Sequence, residues 1–246
     1  MKFINKYMRY IKMGLLLVIY VALMFTSLSS YILSPIAKMY GSSYEGVRAY
    51  LVFSNVFIYL FLFVLTLLLV PQIYYLDFMI LKKKPTIRAL LEVLIGYGIM
   101  YACSLVGSIL SMILSGGIGE SANENAINAI LSADGGWFYV FVATIIGPIV
   151  EEIIFRGVLQ GTIIGSKVRK IGDPRVIVGI LASSIFFGLI HVISAGDYIY
   201  IFPYLFMGIG LGVIAYYSKS IYTSMIVHII NNLIAILVSL LFFWGI

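Results

Sequence analysis

The chain has 246 residues, 62% of them hydrophobic and 11% charged, with a mean hydropathy of +1.09 and a formal net charge of +6. Soluble domains carry roughly 45–50% apolar and about 25% charged residues, so this composition excludes a soluble enzyme, a nucleic-acid-binding protein and a disordered chain. It predicts an all-α, polytopic protein of the cell membrane, a single integral membrane domain over 1–246. The one cysteine, Cys103, lies in an apolar run and permits no intrachain disulfide.

Seven stretches reach the roughly 20 residues that a spanning helix needs: 13–35, 50–76, 89–115, 137–164, 176–195, 198–217 and 220–244. None alternates apolar and polar residues as the strands of a β-barrel do. The first follows Lys2, Lys6, Arg9 and Lys12. Its apolar run is too long for a cleavable signal, so it reads as a signal anchor or first helix.

The charges between the spans alternate. Basic residues cluster before the first span, at Lys82, Lys83, Lys84 and Arg88, at Lys167, Arg169, Lys170 and Arg175, and at Lys219. The intervening loops hold only Lys38 and Arg48, together with Glu45, Glu120, Glu124, Asp134 and Asp197. Thirteen basic residues on one side against two on the other place the N-terminus in the cytoplasm and the C-terminus outside. The loop 116–136 carries its own pattern. Ser121 and Glu124 fit a capping box, and Ala126, Ile127, Ile130 and Leu131 fall on one face of a short amphipathic helix, either a connector or a gate.

An ionisable residue inside a span costs about 2.5–3.5 kcal/mol on insertion scales, and most of the chain avoids it. The exceptions are Glu151, Glu152 and Arg156 in the fourth span, His191 in the fifth, and His228 with Asn231 and Asn232 in the seventh. Glu152 and Arg156 are one turn apart and can pair. Glu151 is rotated about 100° from Glu152 and has no partner on its own helix, which leaves its carboxylate for chemistry. Phe187 and His191 share a face, as do His228 and Asn232. A carboxylate, two imidazoles and an amide meeting in one dry cavity can make a hydrolytic site: a glutamate as general base, a histidine to help deprotonate water, and donors for an oxyanion. Interhelical hydrogen bonding and a proton relay are the other uses of such residues. Pro148 permits a kink beside the glutamates. Gly157, Gly161 and Gly165, and Gly208 with Gly212, have the spacing of close helix packing.

Glu151-Glu152-Ile153-Ile154-Phe155-Arg156 reads as EExxxR, Phe187 to His191 as FxxxH, and His228 to Asn232 as HxxxN. In this order, each in an apolar span, the motifs resemble those of the CPBP (CAAX protease and bacteriocin-processing, or Abi) family, which includes the type II CAAX prenyl endopeptidases. The matching core covers about 137–236; spans within 1–115 carry no family motif. The resemblance implies a glutamate-dependent intramembrane peptidase acting on a hydrophobic, membrane-associated or lipidated peptide. In bacteria it implies pheromone, leader or bacteriocin processing, or immunity. By position, Glu151 and His191 would activate water, His228 and Asn232 would form the oxyanion hole, Glu152 and Arg156 would support them, and Phe187 would pack beside the site.

No cofactor is required by this reading. HExxH is absent, although a zinc site of Glu151, His191 and His228 is sterically conceivable. A non-catalytic scaffold of the same family is one alternative. A proton-coupled transporter is another, for which the chain lacks internal repeats. One feature fits poorly: at 1.5 Å per residue, His191 comes out about 10 Å nearer the outer face than Glu151 and His228.

Overall fold

The computed structural model describes residues 2–25, 28–69, 86–117, 119, 121, 125, 136–165, 172–193 and 196–244. Every regular element among them is helical: α1 (Lys2–Phe25), α2 (Leu28–Tyr40), α3 (Tyr44–Leu69), α4 (Thr86–Ser115), α5 (136–164), α6 (Pro174–Val192), a 3-10 turn (Tyr198–Tyr200), α7 (Ile201–Ser218) and α8 (Ile221–Trp244). Among these residues, six helices are long and apolar enough to cross a membrane, and a seventh crossing exists if α1 and α2 together make one. The protein is a multi-pass membrane protein.

The first expected span, 13–35, is divided. Its two helices, α1 and α2, are inclined at 54° to each other. The capping box and amphipathic helix expected in 116–136 fall outside the described residues, apart from Ser121 and Asn125. So do the Lys82–Lys84 cluster and Lys167, Arg169 and Lys170.

α5 is the central helix. Buried residues make up 67% of its most apolar stretch, against 17–44% in the other five crossing helices. Its backbone ladder changes register twice, at the π segments Val142–Ile146 and Ile153–Gln160, which flank the turn Gly147–Glu152. Pro148, at the start of that turn, has no N–H to donate, and Gly147 N–H bonds back to Val142 O across a widened turn. The expected disturbance by Pro148 thus takes the form of a π bulge just before the glutamates.

α6 starts at a side-chain cap, Asp173 accepting from Arg175 N–H at 2.9 Å, with Pro174 in the first turn. α7 supplies the close approach. A Cβ on Gly208 would stand 3.0 Å from Ser184 Cα, and one on Gly212 would stand 2.9 Å from Gln160 Oε1. These two glycines seat the helix contacts their spacing predicts. Gly157 does not, because its nearest neighbour would be Ile153 of its own helix at 3.9 Å. Gly165, with φ +76°, ends α5 rather than packing it.

Candidate active site

The polar residues of α5, α6 and α8 converge below a single cavity of about 710 Å³ lined by Glu151, Phe187, His191, Asn231 and Asn232, among others. Glu151 and Glu152 are buried at 4% and 0% exposure, Arg156 at 0% and His228 at 2%. These four charged or titratable groups lie out of water, where each must be matched by a partner.

Glu152 forms the hub. Arg156 Nη1 lies 3.3 Å from Glu152 Oε1, an ion-pair contact rather than an aligned hydrogen bond. His228 Nδ1 lies 3.1 Å from the same oxygen. Arg156 Nη2 donates to Gly208 O at 2.9 Å, and the guanidinium stacks over Phe187 at 4.9 Å from the ring centroid. One turn further on, Gln160 Nε2 donates to Gly212 O at 2.9 Å. The two glycines of α7 therefore leave room for α5 side chains to reach the α7 backbone. Glu152 and Arg156, expected to support the site, are not among the residues that line the cavity.

Glu151 faces the cavity. Its Oε2 is 3.8 Å from His228 Nε2, and its Oε1 accepts from Tyr59 Oη of α3 at 3.4 Å. The His228 ring is thus set between two carboxylates. An ionised carboxylate only accepts, so Nδ1 carries a proton toward Glu152 and Nε2 is the nitrogen presented to Glu151.

His191 Nδ1 is 2.8 Å from Phe187 O. A carbonyl only accepts, so Nδ1 is the protonated nitrogen and Nε2 is left with its lone pair. Phe187 lies between the two histidines, 4.7 Å from the His191 ring and 5.6 Å from that of His228, and packs edge-on against Phe155 at 5.5 Å. Its expected place beside the site is the one it occupies. Tyr204 of α7 stacks on the other face of the site, 4.4 Å from His191 and inclined by 16°, and its hydroxyl is 3.0 Å from Ser121 Oγ.

Despite the expected depth mismatch, His191 lines the same cavity as Glu151, and α6 ends at Val192, one residue past it, so the end of α6 stops at the site. The expected span to 195 overstates the helix. Asn232 Nδ2 donates to Ala143 O in the first π segment at 3.1 Å, which fixes the amide while it lines the cavity. Asn231 Nδ2 is turned to Met207 Sδ at 3.9 Å.

Reading the motifs alone misses Tyr59, Tyr204 and the serines of α4. Tyr59 and Tyr204 are two of 19 tyrosines, and nothing in their spacing sets them apart. The serines do carry a signal: Ser104, Ser108, Ser111 and Ser115 recur at helical spacing along the motif-free α4, and all four line the cavity. As for metals, no group of three or more His, Cys, Asp and Glu side chains among the described residues is arranged as a ligand set.

Two known proteins or families are similar to this chain. Residues 133–234 match the Rce1-like family, described as type II CAAX prenyl endopeptidase Rce1-like. The membrane-embedded CAAX protease MroQ of Staphylococcus aureus (strain USA300) is 25% identical over 159 residues, 65% of this chain and 62% of that protein. The chain thus aligns with about three-fifths of that relative's length. No solved structure matches. The two matches support assignment of the chain to the CPBP/CAAX protease family.

Proposed function

We propose that the protein is an intramembrane peptidase that hydrolyses a peptide bond in a hydrophobic, membrane-associated or lipidated peptide, with Glu151 as general base. The observation that carries this reading is the convergence of Glu151, His191 and Asn232 on one cavity, with His228 held behind them by Glu152. A second support is the family match over the segment that contains all of these residues.

In this reading a water molecule sits between Glu151 and the unprotonated Nε2 of His191. Glu151 takes one proton from it as the water oxygen bonds to the scissile carbonyl carbon. The carbonyl oxygen becomes an oxyanion, met by the second N–H of the Asn232 amide and by the Nε2–H of a doubly protonated His228 whose Nδ1–H stays on Glu152. The C–N bond then breaks, the proton on Glu151 passes to the leaving amine, and the new carboxyl end is released. Glu152 and Arg156 touch no reacting atom. They hold His228 and the helix in register. No metal takes part in these steps.

The test is cleavage of a fluorogenic hydrophobic leader peptide, or of a prenylated one, by the purified full chain with and without chelator. Glu151→Gln is expected to lower kcat by about 10²–10⁴-fold, the usual worth of a general base, with the thermal midpoint preserved. His191→Ala and His228→Ala are expected to follow it. Cleavage that survives Glu151→Gln and vanishes with chelator would overturn the glutamate assignment. A folded wild-type protein that cleaves neither peptide but co-purifies with a membrane partner would favour a scaffold.

A further inference from the structure

We propose that the cavity admits an extended apolar peptide from the non-cytoplasmic face of the membrane, and that the serine-lined wall of α4 hydrogen-bonds its backbone. The inference rests on the peptidase reading for its chemistry, but the side of opening stands without it.

The direction of opening follows from which ends of the helices meet at the cavity. Its lining takes in the C-terminal half of α4 (Ser104 to Ser115), then Gly117, Gly119 and Ser121, Tyr200 of the 3-10 turn, and the start of α7 from Pro203 to Met207. It also takes in Tyr139 and Ala143 near the start of α5, His191 at the end of α6, and Asn232 to Ser239 in the second half of α8. Ser111 ties the two sides of this end together by donating to Ile199 O at 2.8 Å. In sequence the α4, α5, α6 and α7 segments adjoin the loops around 116–136 and 193–200, and the α8 segment leads to the C-terminus. Those loops carry no lysine or arginine, whereas thirteen of the sixteen basic residues belong to segments at the opposite end or to the N-terminus. Basic loops are retained in the cytoplasm, so the cavity opens away from it.

The wall suits a peptide backbone. Ser104, Ser108, Ser111 and Ser115 mark one line along α4, about 16 Å long at the helical rise, the length of about five extended residues. Ser111 and Ser115 hold the mouth in place, Ser115 through a 2.9 Å bond to Gly117 O. Deeper, Ser104 and Ser108 make no hydrogen bond among the described residues, and both border the cavity. Leu105, Ile109 and Met112 alternate with them along the same lining. A peptide drawn out of water must find donors and acceptors for its N–H and C=O groups, and a hydroxyl supplies both. The apolar residues between the hydroxyls select apolar side chains. Glu151 lines the same cavity as the inner end of the line.

The test uses the full chain in intact cells, with Cys103→Ala as background so that each introduced cysteine stands alone. Ser108→Cys and Ser115→Cys are expected to react with a charged, membrane-impermeant maleimide added outside, and Arg175→Cys only after permeabilisation. The reverse pattern overturns the inference. A short Leu/Ala peptide with one terminal lysine, added outside at several times its dissociation constant, is expected to slow labelling of Ser108→Cys about fivefold and to leave labelling of permeabilised Arg175→Cys unchanged. Unchanged labelling of Ser108→Cys overturns the peptide-binding wall. With purified protein, Ser104→Ala combined with Ser108→Ala is expected to raise KM about tenfold with kcat unchanged, the loss of two neutral hydrogen bonds. A fall in kcat with KM unchanged overturns it. If the wild type cleaves no peptide, the peptidase reading fails by itself, and the labelling and protection results still decide this one.

Discussion

Tyr59 reaches from α3 to place its hydroxyl 3.4 Å from Glu151 Oε1, across 92 positions of sequence. The half of the chain without any recognisable motif therefore contributes directly to the candidate site. The phenol holds one oxygen of Glu151 and leaves the other, Oε2, toward His228. Tyr59→Phe keeps the ring and removes only the hydroxyl. It is expected to lower kcat about tenfold, the scale of one hydrogen bond to a charged acceptor, with the thermal midpoint and KM preserved. Steady-state kinetics of the purified variant checks this, and unchanged kcat would show that the contact is incidental.

Among the described residues Arg156 is the largest fully buried side chain, and it meets Glu152 on its own helix and the Gly208 carbonyl of α7. Arg156→Met leaves Glu152 buried without its cation, so the expected loss is about 3–5 kcal/mol of stability. Combining Arg156→Met with Glu152→Gln removes both charges and should recover much of that loss, although His228 then lacks its anchor and activity stays low. Thermal unfolding in detergent separates the two variants. A wild-type midpoint for Arg156→Met would mean that the pair contributes nothing to the fold, and equal losses in both variants would mean that the unpaired carboxylate is not the cause.

The glycines make a contrast. Gly208→Ala pushes a methyl to within 3.0 Å of Ser184 Cα and shifts the carbonyl that Arg156 uses. The expected cost is about 1–3 kcal/mol, as for overpacking generally. Gly157→Ala meets nothing closer than 3.9 Å and should stay within about 0.5 kcal/mol of wild type. Melting curves of the two variants side by side test the distinction, and similar losses would contradict it.

Tyr204 links the cavity mouth to the site by stacking on His191 while its hydroxyl meets Ser121. Tyr204→Phe keeps the stack, and Tyr204→Leu removes it. Tyr204→Leu is expected to lower kcat by roughly two- to tenfold, the worth of an aromatic pair, and Tyr204→Phe by less. Should the two variants lose activity equally, the hydroxyl rather than the ring would be the positioning element.

The sequence was sufficient for the class of protein and for the polar core of the site. Composition and span length identify a helical membrane protein because a bilayer leaves the backbone few other solutions. Glu151, Glu152, Arg156, His191, His228 and Asn232 stand out because charge and amide groups inside apolar spans are costly and so are rarely idle. Helical periodicity was enough to pair Glu152 with Arg156 and Phe187 with His191, since both are contacts within one turn of one helix. Periodicity could not reveal that Glu152 would serve two helices at once, through Arg156 on its own helix and His228 on α8. It could not set where α6 stops, which decides the depth of His191. Nor could it pick Tyr59 and Tyr204 from the other tyrosines. Those features depend on how helices remote in sequence pack, and packing is fixed by close approaches such as Gly208 on Ser184, which no local pattern encodes.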